Sequence, residues 1–367
     1  MNYKISHPTK IIECEIDLPS SKSISNRLLI IQALCKKKFL IHNLSNSNDT
    51  TTLKNALNSR ENVIDVGGAG TSFRFLTSYF SIKKEVNLIL TGNSRMQERP
   101  IKALAKALID IGAKIEYTDH LNFPPLKITG TKIKGGKVSV DGTKSSQFIS
   151  SLLLIAPVLE NGLEIEIIGD LVSKPYVQMT LSLMKQFGIS YSWEKNVIII
   201  RPQEYIATDF TVEADWSAAS FWFQIACLSK KCNIRLNGLS EKSIQGDKEI
   251  RDLFRNLGVE SIFKKGTLFL TKKNNILKQN IIDLKNILHV SARLVLLFLL
   301  TNFKAIHCTK YTGGLTQIIF IFHLYSYLCF GLLIVGHGIS ISSRKTSKLI
   351  TFILIKRSNE KVKSDFV

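Results

Sequence analysis

Three segments of the chain are built alike, and that recurrence constrains the fold more than any other feature. Arg99-Pro100 leads to Ile111-Gly112-Ala113, Lys174-Pro175 to Phe187-Gly188-Ile189, and Gly246-Asp247 to Leu257-Gly258-Val259. Each opens with Pro or Asp at a helix start and runs with helical apolar spacing. Each closes on a glycine suited to a left-handed C-cap, followed by an alternating, strand-like stretch. The glycines stand 76 and 70 residues apart. That period is too long for a solenoid and suits a βαβαββ unit used several times. A chain of 367 residues has room for two or three domains made this way.

A second kind of helix interleaves with the first. It starts on small polar residues and is apolar all round: Ser21-Lys22-Ser23-Ile24-Ser25-Asn26-Arg27, Gly70-Thr71-Ser72-Phe73-Arg74, Lys144-Ser145-Ser146-Gln147-Phe148 and Asp215-Trp216-Ser217-Ala218-Ala219. Such helices are expected inside each unit, with their polar N-termini facing a site. Capping alone accounts for a single Ser or Thr at such a position. Four helix starts that also carry glycines and cations point further. A helix N-terminus offers free N–H groups and partial positive charge to phosphate or carboxylate. Lys22, Arg27 and Arg74 add full charges, and the loop Thr91–Pro100 adds Arg95 and Arg99. Arginine suits bidentate pairing with an anion, and lysine acts as a point charge.

The formal net charge is +20, from 49 Lys and Arg against 29 Asp and Glu. These cations sit in a metabolite-site pattern without aromatic–basic interleaving, so nucleic acid is not expected as a partner. The start of the chain lacks the apolar core of a signal peptide, and a cytoplasmic location is expected. The six cysteines form no C-x-x-C pair and no zinc-finger spacing with histidine, so neither a metal nor a disulfide is expected.

The helix starts and the loops between them also carry a family resemblance. Pro19-Ser20-Ser21-Lys22-Ser23-Ile24-Ser25-Asn26-Arg27 resembles the first signature of the 5-enolpyruvylshikimate-3-phosphate synthase family. Gly68-Ala69-Gly70-Thr71-Ser72-Phe73-Arg74, Leu90-Thr91-Gly92 through Arg99-Pro100-Ile101, and Asp141-Gly142 through Ser145-Ser146-Gln147-Phe148 resemble the next three. Gly169-Asp170-Leu171-Val172-Ser173-Lys174-Pro175-Tyr176, Glu213-Ala214-Asp215-Trp216-Ser217-Ala218-Ala219-Ser220 and Gln245-Gly246-Asp247 continue them in order, and the resemblance runs to about Asn286. A sister family, acting on a UDP-amino sugar, places a reactive cysteine in the loop that here reads Ser94–Pro100. No cysteine occurs between Cys35 and Cys227, which weighs against that activity.

The resemblance implies an inside-out α/β barrel of repeated βαβαββ units in two domains, the second incomplete. The first domain is expected at 20–213 with three units, and a partial second at 1–19 and 214–308. It implies transfer of the enolpyruvyl group from phosphoenolpyruvate to the 5-hydroxyl of shikimate 3-phosphate, in chorismate and aromatic amino-acid biosynthesis. The phosphoenolpyruvate methylene is protonated, the hydroxyl attacks C2, and phosphate leaves the tetrahedral intermediate, with no metal or organic cofactor. By similarity, Lys22, Ser23 and Arg27 meet shikimate 3-phosphate, Lys22 also lying near phosphoenolpyruvate. Gly70 and Arg99 match phosphoenolpyruvate positions. Ser145, Ser146 and Ser173 match contacts to the shikimate phosphate, and Gln147 lies between both substrates. Two multiply charged anions approach each other only where cations and helix dipoles offset their repulsion. A monomer is expected.

The last fifth departs from the family. Where it places a Pro-Asp helix start, with the Asp as an acid–base group, this chain has Leu288 and His289; the later Lys-Glu-Thr-Asp-Arg and Asp-His-Arg motifs and the late catalytic lysine have no counterpart. A second reading follows: a non-catalytic remnant that binds shikimate 3-phosphate alone. Residues 309–367 form an apolar and then basic tail. No Asp, Glu, Lys or Arg occurs from Tyr311 to Ser343. Within it Ile318 to Val335 reaches the lower range of a membrane span, and 311–343 is the only candidate for one. The Ile, Leu, Phe, Lys, Ser and Tyr of the whole tail also match AT-rich DNA read out of frame, which is the preferred expectation.

Overall fold

A computed structural model describes residues 9–273 in full. Beyond them it describes the backbone of five short strands, Ile306–His307, Gln317–Phe320, Gly331–Val335, Ile339–Ser342 and Thr351–Leu354, paired antiparallel in sequence order. His289 lies outside the described residues. So does most of the 309–367 tail; within 311–343 the described backbone is extended.

The chain opens with β1 (Ile11–Asp17), α1 (Lys22–Leu34), β2 (Ile41–His42) and α2 (Asn48–Asn58). There follow β3 (Val63–Asp65), α3 (Gly70–Ile82), β4 (Asn87–Thr91), the one-turn α4 (Ser94–Gln97), α5 (Lys102–Asp110), β5 (Lys114–Tyr117) and β6 (Leu126–Thr129). The next set is β7 (Gly136–Asp141), α6 (Ser146–Ile155), β8 (Leu163–Ile168), α7 (Lys174–Gln186), β9 (Ser192–Glu194) and β10 (Val197–Ile200). The last is β11 (Phe210–Thr211), α8 (Trp216–Leu228), β12 (Lys231–Asn237), α9 (Ile250–Asn256), β13 (Val259–Lys264) and β14 (Thr267–Lys272).

Three four-stranded sheets share one topology: β3-β4-β6-β5, β7-β8-β10-β9 and β1-β12-β14-β13. In each, the first pair is parallel and the other two are antiparallel. This is the βαβαββ unit, with a crossover helix between the parallel strands and a second helix leading into a hairpin. In the third sheet the elements from α1 to β11 are inserted between β1 and its crossover helix α8. The glycines that mark the repeat end its second helices in left-handed backbone: Gly112 at φ +106°, Gly188 at +84° and Gly258 at +80°. A side chain at such a φ would be strained, which is why glycine recurs there. The remaining elements α1, β2, α2 and β11 keep only a two-residue parallel pairing, β2 with β11.

The layers are inside out. Helices α1, α3, α6 and α7 pack on one another at the centre. Helix α3 is buried at every position from Ser72 to Ser81, and α6 from Phe148 to Ile155. The surrounding sheets alternate in burial, as in β8, because only one face meets the helices. Helix α8 differs: Phe221 remains 48% exposed, so its apolar surface is covered on one side only by the described residues.

Buried apolar side chains form two clusters. One runs from Ile24 to Val212 and the other from Ala214 to Leu270, with Ile12, Cys14, Ile16 and Leu18 packed against the second. The chain crosses between them at Pro19–Ser21 and Glu213–Asp215. Ser20 and Ala214 form an antiparallel bridge. The Ser21 N–H donates to the Glu213 carbonyl at 2.9 Å, and the Asp215 N–H to the Pro19 carbonyl at 2.8 Å. No helix among the described residues is long and apolar enough to cross a membrane.

Candidate active site

Beside these crossings lies a cleft of about 370 Å³ that gathers helix starts from both clusters. The first cluster contributes Lys22, Ser23, Asn26 and Arg27 of α1, Thr71 of α3, Ser146 and Gln147 of α6, Tyr176 of α7, and Ser47. Across from them stand Asp215, Ser217, Ala218 and Phe221 at the start of α8. A wider groove of about 960 Å³, lined by Lys174, Trp193, Lys242 and Lys248 among others, holds none of the first-cluster motif starts except that of α7. Convergent helix N-termini favour the smaller cleft as the site of chemistry.

Arg27 is the buried charge of this cleft, 2% exposed. Its Nε donates to Thr180 Oγ1 at 2.7 Å, Nη1 to the Ser23 carbonyl at 2.8 Å, and Nη2 to the Tyr176 carbonyl at 3.2 Å and Ser150 Oγ at 3.4 Å. Its guanidinium also sits over the Phe75 ring, 5.6 Å from the centroid. All these acceptors are neutral. Burial lowers its pKa to about 10, which leaves it charged at neutral pH. A buried cation held, among the described residues, by neutral oxygens favours an incoming anion.

Lys22 opens α1 behind the N-cap Ser21, whose hydroxyl accepts the Ile24 N–H. Its ammonium lies 3.3 Å from Asp49 Oδ2. Asn26 is fully buried; its Oδ1 accepts from Thr50 Oγ1 at 2.7 Å, while its Nδ2 has no partner among the described residues.

A second cationic corner adjoins α3. A Cβ built on Gly70 would stand 2.6 Å from Arg99 Nη1 and 2.8 Å from Arg74 Nη1. Both guanidinium groups therefore close over the bare glycine. Arg74 Nη1 donates to the Gly70 carbonyl at 2.6 Å, while its buried Nε has no partner among the described residues. Burial first, and then Arg99, lower the Arg74 pKa to about 10. Two cations brought together this way are a place for an anion.

The serines divide by role. Ser145 caps α6 by accepting the Gln147 N–H at 3.2 Å, and Ser146 follows it, buried. Gln147 Nε2 reaches Thr71 Oγ1 at 3.3 Å, tying α6 to α3 across the cleft floor. Ser173 precedes α7 at φ +57° with no cap bond from its side chain and is not part of the cleft lining.

Lys22, Ser23, Arg27, Ser146 and Gln147 thus line one cleft, Gly70 and Arg99 share the neighbouring corner, and Ser145 and Ser173 stand at helix starts behind them. Reading the sequence for roles missed Asn26, Tyr176 and Asp215. All three lie inside the quoted motifs, yet neutral or acidic residues carry no anion signal by themselves. Tyr176 Oη donates to Asp247 Oδ2 at 3.5 Å, and burial, then the Asp247 charge, hold its pKa well above the usual tyrosine value. Asp215 caps α8, accepting the Ser217 N–H at 2.7 Å.

Comparison with known proteins places the chain in a family. A family profile described as EPSP synthase (3-phosphoshikimate 1-carboxyvinyltransferase) matches residues 6–60 and 53–306. A 3-phosphoshikimate 1-carboxyvinyltransferase of Bacteroides fragilis strain YCH46 is 46% identical over 280 residues, covering 76% of this chain and 68% of that protein. One from Haemophilus ducreyi is 36% identical over 311 residues, covering 76% of this chain and 71% of its own length. Among solved structures, an EPSP synthase from Acinetobacter baumannii superposes with a TM-score of 0.62 at 20% identity, over 78% of this chain and 71% of that one. On sequence and topology together, the chain belongs to the EPSP synthase (3-phosphoshikimate 1-carboxyvinyltransferase) family.

Proposed function

We propose that this chain transfers the enolpyruvyl group of phosphoenolpyruvate to the 5-hydroxyl of shikimate 3-phosphate and releases phosphate. The observation that carries this reading is the meeting of the α1 and α6 starts with the α8 start in one cleft, with Arg27 buried there on neutral acceptors. In this reading Lys22, Ser23 and Arg27 hold shikimate 3-phosphate, and Ser145, Ser146 and Ser173 hold its phosphate. Gln147 sits between the substrates, and Gly70 with Arg99 takes phosphoenolpyruvate at the corner shared with Arg74.

The reaction brings two polyanions into contact; the phosphoenolpyruvate methylene is protonated as C2 becomes cationic, and a proton leaves the new methyl group as negative charge gathers on the departing phosphate. Fixed cations and helix N-termini offset that charge before the chemical step, where solvent would have to reorganise. Phosphate release from the full chain with both substrates, against each substrate alone, tests the reading. Turnover only with both supports it. Calorimetric binding of shikimate 3-phosphate without turnover leaves the remnant reading instead, and no binding at millimolar ligand overturns both.

A further inference from the structure

Three consecutive residues of the second cluster, Gln245, Gly246 and Asp247, each touch the first. Gln245 is 3% exposed, and its amide is saturated. Its Oε1 accepts from Ser21 Oγ at 3.0 Å and from the Trp216 N–H at 3.2 Å. Its Nε2 donates to the Ala214 carbonyl at 2.8 Å and to Glu213 Oε1 at 3.0 Å. The Trp216 N–H can only donate and the Ala214 carbonyl can only accept, so the amide has one possible orientation. Gly246 packs so closely on α7 that a Cβ there would lie 2.3 Å from Pro175 Cβ. Asp247, 4% exposed, accepts from Tyr176 Oη and from Ser217 Oγ, one on each side of the cleft.

Ser21 and Trp216 are the residues next to Lys22 and Asp215. One amide oxygen therefore joins the helix start that carries the cleft's outer cation to the helix start that carries its facing carboxylate. The two crossing strands alone share only a bridge and two backbone bonds, which leave rotation about the strand axis open. Gln245 supplies the third point.

We propose that Gln245 is a positioning residue that sets Lys22 against Asp215 across the cleft, with Gly246 and Asp247 completing the latch. This rests on the proposed transferase reading. Gln245→Leu removes the joint without changing a cleft residue, and kcat/KM for shikimate 3-phosphate is expected to fall ten- to about a hundredfold, as for a misplaced reacting pair. Gln245→Glu keeps both acceptor bonds but turns a carboxylate oxygen toward the Ala214 carbonyl and the Glu213 carboxylate. Lys248, Asp215 and Asp247 are the other charged groups around this point. A proton shared with Glu213 restores the lost donor, so the Gln245→Glu to native activity ratio is expected to rise several-fold from pH 8 to pH 6. A loss from misfolding alone gives no such recovery.

Amide exchange reads the joint without substrate. The Trp216 amide, which donates to Gln245 in the native protein, is expected to exchange at least tenfold faster in Gln245→Leu. In an active native protein, unchanged kcat/KM, or an activity ratio independent of pH, overturns the proposal. Should the native chain show no turnover, the transferase reading fails; unchanged Trp216 exchange then overturns the joint, and faster exchange upholds it.

Discussion

The Lys22 ammonium lies 3.3 Å from the Asp49 carboxylate, and this pair links the first turns of α1 and α2. Asp49 sits where a helix N-terminus favours an anion, whereas Lys22 sits where it disfavours a cation. Helix electrostatics therefore gives no reason for Lys22, and an anionic ligand does. The pair is partly exposed and contributes less than about 1 kcal/mol. Lys22→Ala is expected to change denaturant stability by less than that, while weakening shikimate 3-phosphate binding at least tenfold by calorimetry. Undiminished affinity would remove Lys22 from the site.

Gly70 is bare because two guanidinium groups occupy the space beside it. Gly70→Ala is expected to displace Arg99 and Arg74, whose side-chain ends move more easily than backbone, so folding survives. Phosphoenolpyruvate KM should rise at least tenfold, with the thermal midpoint lowered by only a few degrees. An equal loss of affinity for both substrates would place this corner elsewhere in the mechanism.

Ser145 and Ser173 separate capping from binding. Ser145 caps α6, so Ser145→Ala is expected to cost about 1 kcal/mol in urea unfolding. The Ser173 hydroxyl makes no cap bond, and Ser173→Ala should leave stability within about 0.5 kcal/mol. Both should weaken shikimate 3-phosphate binding, since a hydrogen bond to a charged group contributes about 1.5–3 kcal/mol. Affinity unchanged in Ser173→Ala would restrict the phosphate contacts to α6.

Burial raises the Glu213 carboxyl pKa above its ordinary value, against hydrogen bonds from Gln245 and Ser243 and the nearby Lys248, which lower it. A carboxyl whose folded pKa is raised favours the folded state below its unfolded pKa. That contribution is lost as pH rises through the folded value. Glu213→Gln cannot ionise. Stability of the native protein relative to this variant is therefore expected to decline from pH 4.5 toward neutrality. A difference that stays flat, or grows with pH, contradicts the assignment.

How far these features are legible in the sequence differs element by element. Gly112, Gly188 and Gly258 betray the repeat because left-handed helix ends admit few other residues, and the three identical sheets follow from them. The starts of α1, α3 and α6 are legible as anion sites because cation, hydroxyl and helix N-terminus coincide within a few residues. Asn26 in α1 and Asp215 at the start of α8 carry no such coincidence themselves; their roles come from what faces them. The meeting of Arg27 with Thr180 and Ser150, or of Gln245 with Ser21 over 224 positions, has no local cause. Period, capping and charge are properties of a few neighbouring residues, and the sequence by itself determined those. Which helix start faces which, and which buried amide joins them, was decided only by the packing of two separate cores around a double crossing of the chain, because side-chain hydrogen bonds act over about 3 Å however far apart the residues stand in sequence.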